Sequence, residues 1–486
     1  MKRRTIDLSD LAHEVRLSDL QVSPDGLSVL VIASRPDYDE NRFGKDLVLI
    51  DVESGRKRTL NLGLRAVSHP RWSPNGRLLA LLANDDNEHA QVFVTSSAGD
   101  APRRLTDAPR GVKTFAWRPD VEAVAFVATD PPPERSEEER HNRSFEVGDH
   151  SYLAESRAMP SHIWIAPLDG GSARKVTSGQ EGFCTFLGIL SWSPDGRSIA
   201  FTSQPRPDSG ALTETSIRIL DVESGQIRDF GPPGSVAAAF APVGDYIAVC
   251  RPRAELGFSP AGISVGSLSG GSLRDVTADL DRDFLAFGQG RAGMMWTLGE
   301  QTLLLSAFDG THRALWLTPL DATPRRLDLK DVQATEIAAG GSGQIVLIGS
   351  TNDRPGEVYC LDSLNGRLRR LTEFNDHLAD LKLGKRTSFS WDGPDGFAGT
   401  GILTYPVHFD KTKRYPLVLD IHGGPMSAST EGFNLLHHLL ANQGWIVFSP
   451  NYRGSNNMGA AYQRAVINDA GDGPARDVMS GVHALQ

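Results

Sequence analysis

The stretch Tyr415-Pro416-Leu417-Val418-Leu419-Asp420-Ile421-His422-Gly423-Gly424-Pro425 decides how the rest of the chain is read. Leu417, Val418 and Leu419 form a continuous apolar run, the pattern of a strand buried on both faces of a parallel sheet. The run leads into His422-Gly423-Gly424-Pro425, where glycines let the backbone approach a ligand without side-chain interference. A backbone N–H preset at such a strand-to-helix turn can meet the negative charge of a tetrahedral acyl intermediate. One such donor is typically worth about 2.7–4 kcal/mol of barrier. His422 reads as an orienting or structural residue of the turn, not as a catalytic base.

Around this strand the pattern alternates. Phe389–Gly396 and Thr400–Tyr405 predict a hairpin before it. A helix after it carries Phe433, Leu436, Leu439 and Leu440, and Gly444 stands where a C′ glycine ends a helix. Trp445–Ser449 predicts another buried strand, leading into Asn451-Tyr452-Arg453-Gly454-Ser455. A last helix begins near Pro474, with Val478, Val482 and Leu485 on one face. Strand and helix in alternation imply a parallel α/β sheet. His437 and His438 are neighbours, so on a helix they diverge by about 100°; they read as packing or surface residues. No zinc-binding spacing is present, and no metal or cofactor is implied.

The first three quarters of the chain repeat. Ser23-Pro24-Asp25-Gly26, Ser73-Pro74-Asn75-Gly76, Arg118-Pro119-Asp120, Ser193-Pro194-Asp195-Gly196 and Ala241-Pro242-Val243-Gly244 recur at spacings of 50, 45, 75 and 48 residues, each followed by an apolar strand. Proline and Asx-Gly preset a tight corner. A second signature, an apolar strand running into a turn, occurs seven times, at 47–55, 92–99, 163–170, 217–225, 263–270, 315–321 and 358–366. A short basic strand often follows it, as at Arg103-Arg104. Short strands at this period predict a β-propeller. The longest spacing implies an insertion around 130–160, whose Glu137, Glu138 and Glu139 are either a solvated face or an acidic arm for a substrate amino group.

Two motifs in the repeats are decoys. Gly262-Ile263-Ser264-Val265-Gly266 spells G-x-S-x-G, but the repeat puts Ser264 inside a third strand with a turn after it, whereas a nucleophile elbow needs a helix there. Gly288-Gln289-Gly290-Arg291-Ala292-Gly293 spells G-x-G-x-x-G but leads into a strand, not a helix.

The 486 residues predict two domains, and a net charge of −10 speaks against a nucleic-acid footprint or attraction to anionic membranes. Cys184, Cys250 and Cys360 form no disulfide framework, and the start lacks the apolar core of a signal peptide, so we expect a cytoplasmic protein.

Asp392-Gly393, Tyr415-Pro416, His422-Gly423-Gly424-Pro425, Asn451-Tyr452-Arg453-Gly454-Ser455 and Asp477, placed after a propeller, resemble the prolyl oligopeptidase family of serine peptidases. Within the family the chain looks like the acylaminoacyl-peptidase and dipeptidyl aminopeptidase branch. The resemblance covers almost the whole chain. H-G-G-P with N-Y-R-G-S at this separation is fairly specific, whereas S-P-D-G occurs in many non-enzymatic propellers. It implies a seven-bladed β-propeller over residues 1–375, then the N-terminal part of an α/β-hydrolase domain, an incomplete parallel sheet, over 376–486. It also implies that Gly424 N–H is an oxyanion donor, supported by His422 and Gly423, and that the propeller admits only short peptides.

The hydrolase triad runs Ser, Asp, His along the chain, and in the family it follows the helix that holds Asp477. We therefore expect the triad to lie beyond Gln486, leaving no catalytic residue here and the chain inactive alone. The parent would be an exopeptidase releasing acylaminoacyl or dipeptidyl units from short peptides. Two alternatives stay open: a non-catalytic propeller binding module, and an esterase, since ester and amide cleavage use the same hole and triad. Homo-oligomerisation is left open.

Overall fold

A computed structural model of the chain describes residues 3–486 apart from 135, 138–140, 142–143, 146–156, 185–187, 208–213, 255–258, 286–293, 298–300, 341–342 and 363–365. Among the described residues, seven consecutive antiparallel sheets precede one mixed sheet. The first sheet holds Arg16–Val22, Ser28–Asp37, Arg42–Asp51 and Lys57–Thr59; the seventh holds Gln333–Ala339, Ile345–Ser350, Glu357–Leu361 and Leu368–Arg370. Six of the seven have four strands. The fourth has five, because Gly182–Phe183 and Leu190–Trp192 share one inner position on Ser198–Gln204.

The turn chemistry explains the recurring tetrapeptide. At 23–26, 73–76 and 193–196 the serine Oγ–H donates to the Asp25, Asn75 or Asp195 side chain at 2.6–2.8 Å, and Oγ accepts N–H of Ser28, Leu78 or Ser198 at 2.9 Å. Gly26, Gly76 and Gly196 take φ of 77°, 72° and 69°, where a Cβ is penalised. Each residue type of the motif thus satisfies or permits one feature of the corner.

Adjacent sheets share one core each, and side-chain alternation along a strand assigns residues to one side or the other. In the second sheet Leu79 and Leu81 pack towards the first, while Ala80 and Leu82 pack towards the third. The same division makes Leu304 face the seventh sheet while Leu303 and Leu305 face the fifth. Strands buried on both faces are why the repeats read as unbroken apolar runs. The last shared core joins Val29, Val31 and Val48 of the first sheet to Val346, Ile348 and Val358 of the seventh, so the succession closes on itself.

The short basic strands have a job as well. An arginine on the outer strand of one sheet donates to a backbone carbonyl just past the third strand of the next: Arg58 to Ala98 O (3.1 Å), Arg103 to Leu168 O (2.6 Å), Arg174 to Val222 O (3.2 Å), Arg228 to Leu268 O (3.0 Å), and Arg274 to Leu320 O. Arg369 of the seventh sheet likewise donates to Val52 O of the first at 3.0 Å. Inner strands from all seven sheets, among them Leu20, Trp72, Phe115, Leu190, Phe240, Trp296 and Ile337, line a central cavity of about 670 Å³.

In the mixed sheet β1 (Arg386–Asp392) and β2 (Ala398–Thr404) form the hairpin, and β3 (Leu417–Leu419) runs parallel to β4 (Ile446–Asn451), in the order β1-β2-β4-β3. Two expectations are corrected here. First, β3 is an edge among the described residues: it pairs only with β4, Leu417 is 36% exposed, and Val418 and Leu419 are half-buried. Second, helix α1 (Leu435–Asn442) buries Leu435, His437, His438 and Leu439 and turns Leu436 outwards. Asn434 caps it by accepting His437 N–H, and Gly444 follows its end at φ 85°. Helix α2 (Asp472–Ala484) covers Trp391 of β1, whose indole N–H donates to Asp477 O.

The N-terminal segment crosses to this second unit. Ile6 packs with Leu378, Leu381, Leu435 and Leu439, Lys382 N–H donates to Arg4 O, and Asn442 donates to Ile6 O at 2.6 Å.

Candidate active site

Asp420 N–H still bonds Phe448 O at 2.9 Å, extending the β3–β4 pairing; the chain then leaves the sheet at Ile421. Gly424 has φ 131°, and a Cβ on it would stand 2.7 Å from Met426 N, so only glycine fits the turn unstrained. Gly423 and Gly424 are exposed, and among the described residues no hydrogen bond engages Gly424 N–H.

Two motifs that lie apart in the chain lock together here. The His422 ring stacks on Tyr452 with centroids 4.7 Å apart, and Tyr452 O–H donates to His422 O at 2.6 Å. The ring nitrogens of His422 stand 3.0 Å from Gly423 O and 3.0 Å from Ser455 Oγ. Burial pushes the His422 pKa below its ordinary value, so the ring is neutral at pH 7. Gly454 has φ 100°, and a Cβ there would stand 3.0 Å from Pro425 Cβ, so the second motif lies flush against the first.

Arg453 draws in the remaining motif residues. Its backbone N–H and Nε–H both donate to Asp477 Oδ2 at 2.9 Å, and a terminal N–H donates to Oδ1 at 2.8 Å. The same guanidinium reaches Asp395 at 3.2 Å and lies 4.7 Å over the Phe397 ring, holding the turn that follows Asp392-Gly393. Its pKa is raised above the usual arginine value, first by the Asp477 hydrogen bonds.

A second polar chain was invisible in the sequence. Arg386, buried on β1, donates to His437 Nδ1 at 2.8 Å and to Thr404 Oγ1 at 2.9 Å. A guanidinium only donates, so Nδ1 accepts and the proton sits on Nε2, which donates to Asp420 Oδ2 at 2.8 Å. Burial, then the Arg386 charge, lowers the His437 pKa; burial pushes Arg386 down to about 10. His438 donates to Asn352 O at 3.1 Å. Both histidines are therefore hydrogen-bonded core residues, and no local pattern pairs them with residues so distant in sequence.

The other candidates fall elsewhere. Ser264 is buried inside strand Ala261–Ser267, its Oγ accepting Arg251 Nε–H at 3.0 Å. Glu137 is exposed, while Glu138, Glu139 and the Gly288–Gly293 motif lie outside the described residues.

Comparison with known proteins agrees with this geometry. Residues 432–486 match the model of the prolyl oligopeptidase family. Over 99% of its length the chain is 24% identical to the uncharacterised peptidase YuxL of Bacillus subtilis, spanning 76% of that protein. It is 23% identical over 97% of its length to dipeptidyl-peptidase 5 of Porphyromonas gingivalis, spanning 71% of it. In fold it matches the acylaminoacyl peptidase of Pyrococcus horikoshii with a TM-score of 0.80 at 17% identity, over 99% of this chain and 72% of that one. It also matches a puromycin-hydrolysing peptidase of Mycobacterium tuberculosis with a TM-score of 0.73 at 19% identity, over 100% and 74%. The chain's relatives are thus peptidases along almost its whole length, and its last segment, which holds Arg453 and Asp477, carries the signature of the prolyl oligopeptidase family.

Proposed function

We propose that these residues form the gating and oxyanion-binding part of a serine peptidase of the prolyl oligopeptidase type. It acts on short peptides and releases acylaminoacyl or dipeptidyl units. The observation that carries this reading is Gly424: an exposed N–H without a partner among the described residues, in a turn braced by His422, Tyr452 and Gly454. In this reading the seven sheets are the blades of a seven-bladed β-propeller over residues 1–375, with an insertion at about 130–160, and residues 376–486 are part of an α/β-hydrolase domain. The propeller cavity admits short extended chains. The tetrahedral oxyanion accepts Gly424 N–H, which the neutral His422 and Gly423 hold in place.

In this reading neither Ser264 nor Ser455 is the nucleophile. Ser455 stands 3.0 Å from His422 as a nucleophile would from its base, but it is fully buried and also bonded to the Tyr452 backbone. Three buried, unpaired cysteines accord with a reducing compartment, and we place the protein in the cytoplasm. Among the described residues no helix is long and apolar enough to cross a membrane.

The natural gene product that carries these residues is expected to cleave acylaminoacyl- or dipeptidyl-p-nitroanilides and to take up a fluorophosphonate probe. The 486-residue chain is expected to take up none. Gly424→Ala in the active product should lower kcat about 10²–10³-fold, because a Cβ forces the N–H out of position. A labelled 486-residue chain, or a gene product inert to both substrates, refutes the proposal.

A further inference from the structure

Arg313, in the lining of the central cavity, has no counter-ion among the described residues. Arg313 lies on the strand His312–Pro319 of the sixth sheet and lines the cavity beside Ser306 and Thr335. Its guanidinium lies 4.6 Å over the Phe308 ring, and among the described residues no carboxylate and no hydrogen-bond acceptor meets it. Burial lowers its pKa below the ordinary arginine value. The lining also holds the charged groups of Asp19, Glu336 and Arg71, and His69. Glu336 accepts N–H of Asp19 and Leu20 at 3.2 and 2.9 Å, Arg71 donates to Pro70 O at 2.8 Å, and His69 has a partner of its own.

Arg313 also sits at the end of the cavity nearest the second unit. The preceding residues dock there: Thr311 Oγ1–H donates to Glu431 Oε1 at 3.0 Å, Glu431 N–H to Thr311 O at 2.9 Å, and Asn457 Nδ2–H to Gly310 O at 2.8 Å. Glu431 lies on the segment that follows the His422–Pro425 turn.

A half-buried guanidinium left without an anion binds a carboxylate more strongly than one on the surface, because the bond is charge-assisted and less screened. The planar fork suits a two-oxygen acceptor. We propose that Arg313 anchors the free C-terminal carboxylate of a short peptide lying in the cavity. This rests on the reading of the chain as part of a peptidase for short peptides. It adds a rule to that reading: a substrate must end in a free carboxylate, and one that ends in an amide or continues as a longer chain leaves Arg313 unpaired.

The test is binding, which needs no turnover. N-acetyl-tetra-alanine and its C-terminal amide are titrated into the 486-residue chain by calorimetry at about 0.05 M salt. The acid should bind at least about tenfold more tightly than the amide. In Arg313→Met, which keeps the stem over Phe308, the two should bind alike, with melting temperature reporting an intact fold; Arg313→Lys should restore part of the preference. Equal binding of acid and amide to the unmodified chain overturns the proposal without reference to any variant. So does binding of neither, or an acid preference that survives in Arg313→Met. Cleavage of the acid by the chain would refute the catalytic reading instead, leaving the carboxylate preference to be judged on its own.

Discussion

Arg453 shows how much one buried charge can organise. Its side chain is 5% exposed and that of Asp477 2%, so both ions have lost their water and are compensated by each other, Asp395, the turn backbone and the Phe397 ring. Removing one partner of such a pair leaves an uncompensated buried charge, which costs about 3–5 kcal/mol. Asp477→Ala should lose that much stability in urea unfolding; a loss below about 1 kcal/mol would mean that Asp395 alone suffices for Arg453. The sequence singled out both residues as motif members, yet not as partners, because 24 residues separate them. His437 is the opposite case. Nothing around it in the sequence announces Arg386 or Asp420; its adjacency to His438, without a metal-binding spacing, reads only as packing or surface.

At the scale of elements, helix α1 carries a pH dependence. His438 is 1% exposed, donates to Asn352 O and leaves Nδ1 without a partner. Burial, the largest effect, pushes its pKa down to about 4. The unfolded chain, with an ordinary value near 6.5, binds the proton first as pH falls. Stability attributable to this group is therefore complete above about pH 6.5 and declines as pH falls towards 4. Urea unfolding at about pH 7.5 and pH 5 should differ by about 2 kcal/mol more in the native chain than in His438→Gln, at 1.36 kcal/mol per unit. Equal differences would show that His438 is already protonated in the fold. The arginine bonds between sheets belong to this scale too. Arg174→Ala should cost about 1 kcal/mol, the net worth of one intramolecular hydrogen bond. Arg56→Ala, an exposed arginine of the first sheet's closing turn, should cost less than about 0.5 kcal/mol. The basic strands were legible as a repeat; their use was not, since the acceptor lies on the neighbouring sheet, 48 residues away for Arg174.

On the scale of the whole molecule, the ends of the chain meet. Ile6 is 1% exposed among Leu378, Leu381, Leu435 and Leu439, so the second unit borrows part of its core from the N-terminal segment. Ile6→Ala should cost about 2–5 kcal/mol, and hydrogen exchange should place the loss in α1, not in the strands of the first sheet. Protection lost from the first sheet instead would contradict the assignment. The repeats, the corner tetrapeptides and the strand–glycine turn–helix order were determined by the sequence alone, because each rests on contacts within a few residues. Three things were decided only in the tertiary structure: which face of α1 is buried, that β3 is an edge, and which charges pair. The groups involved come together from positions 17, 51 and even 436 residues apart, and such pairings follow from how whole layers stack, which no local pattern records.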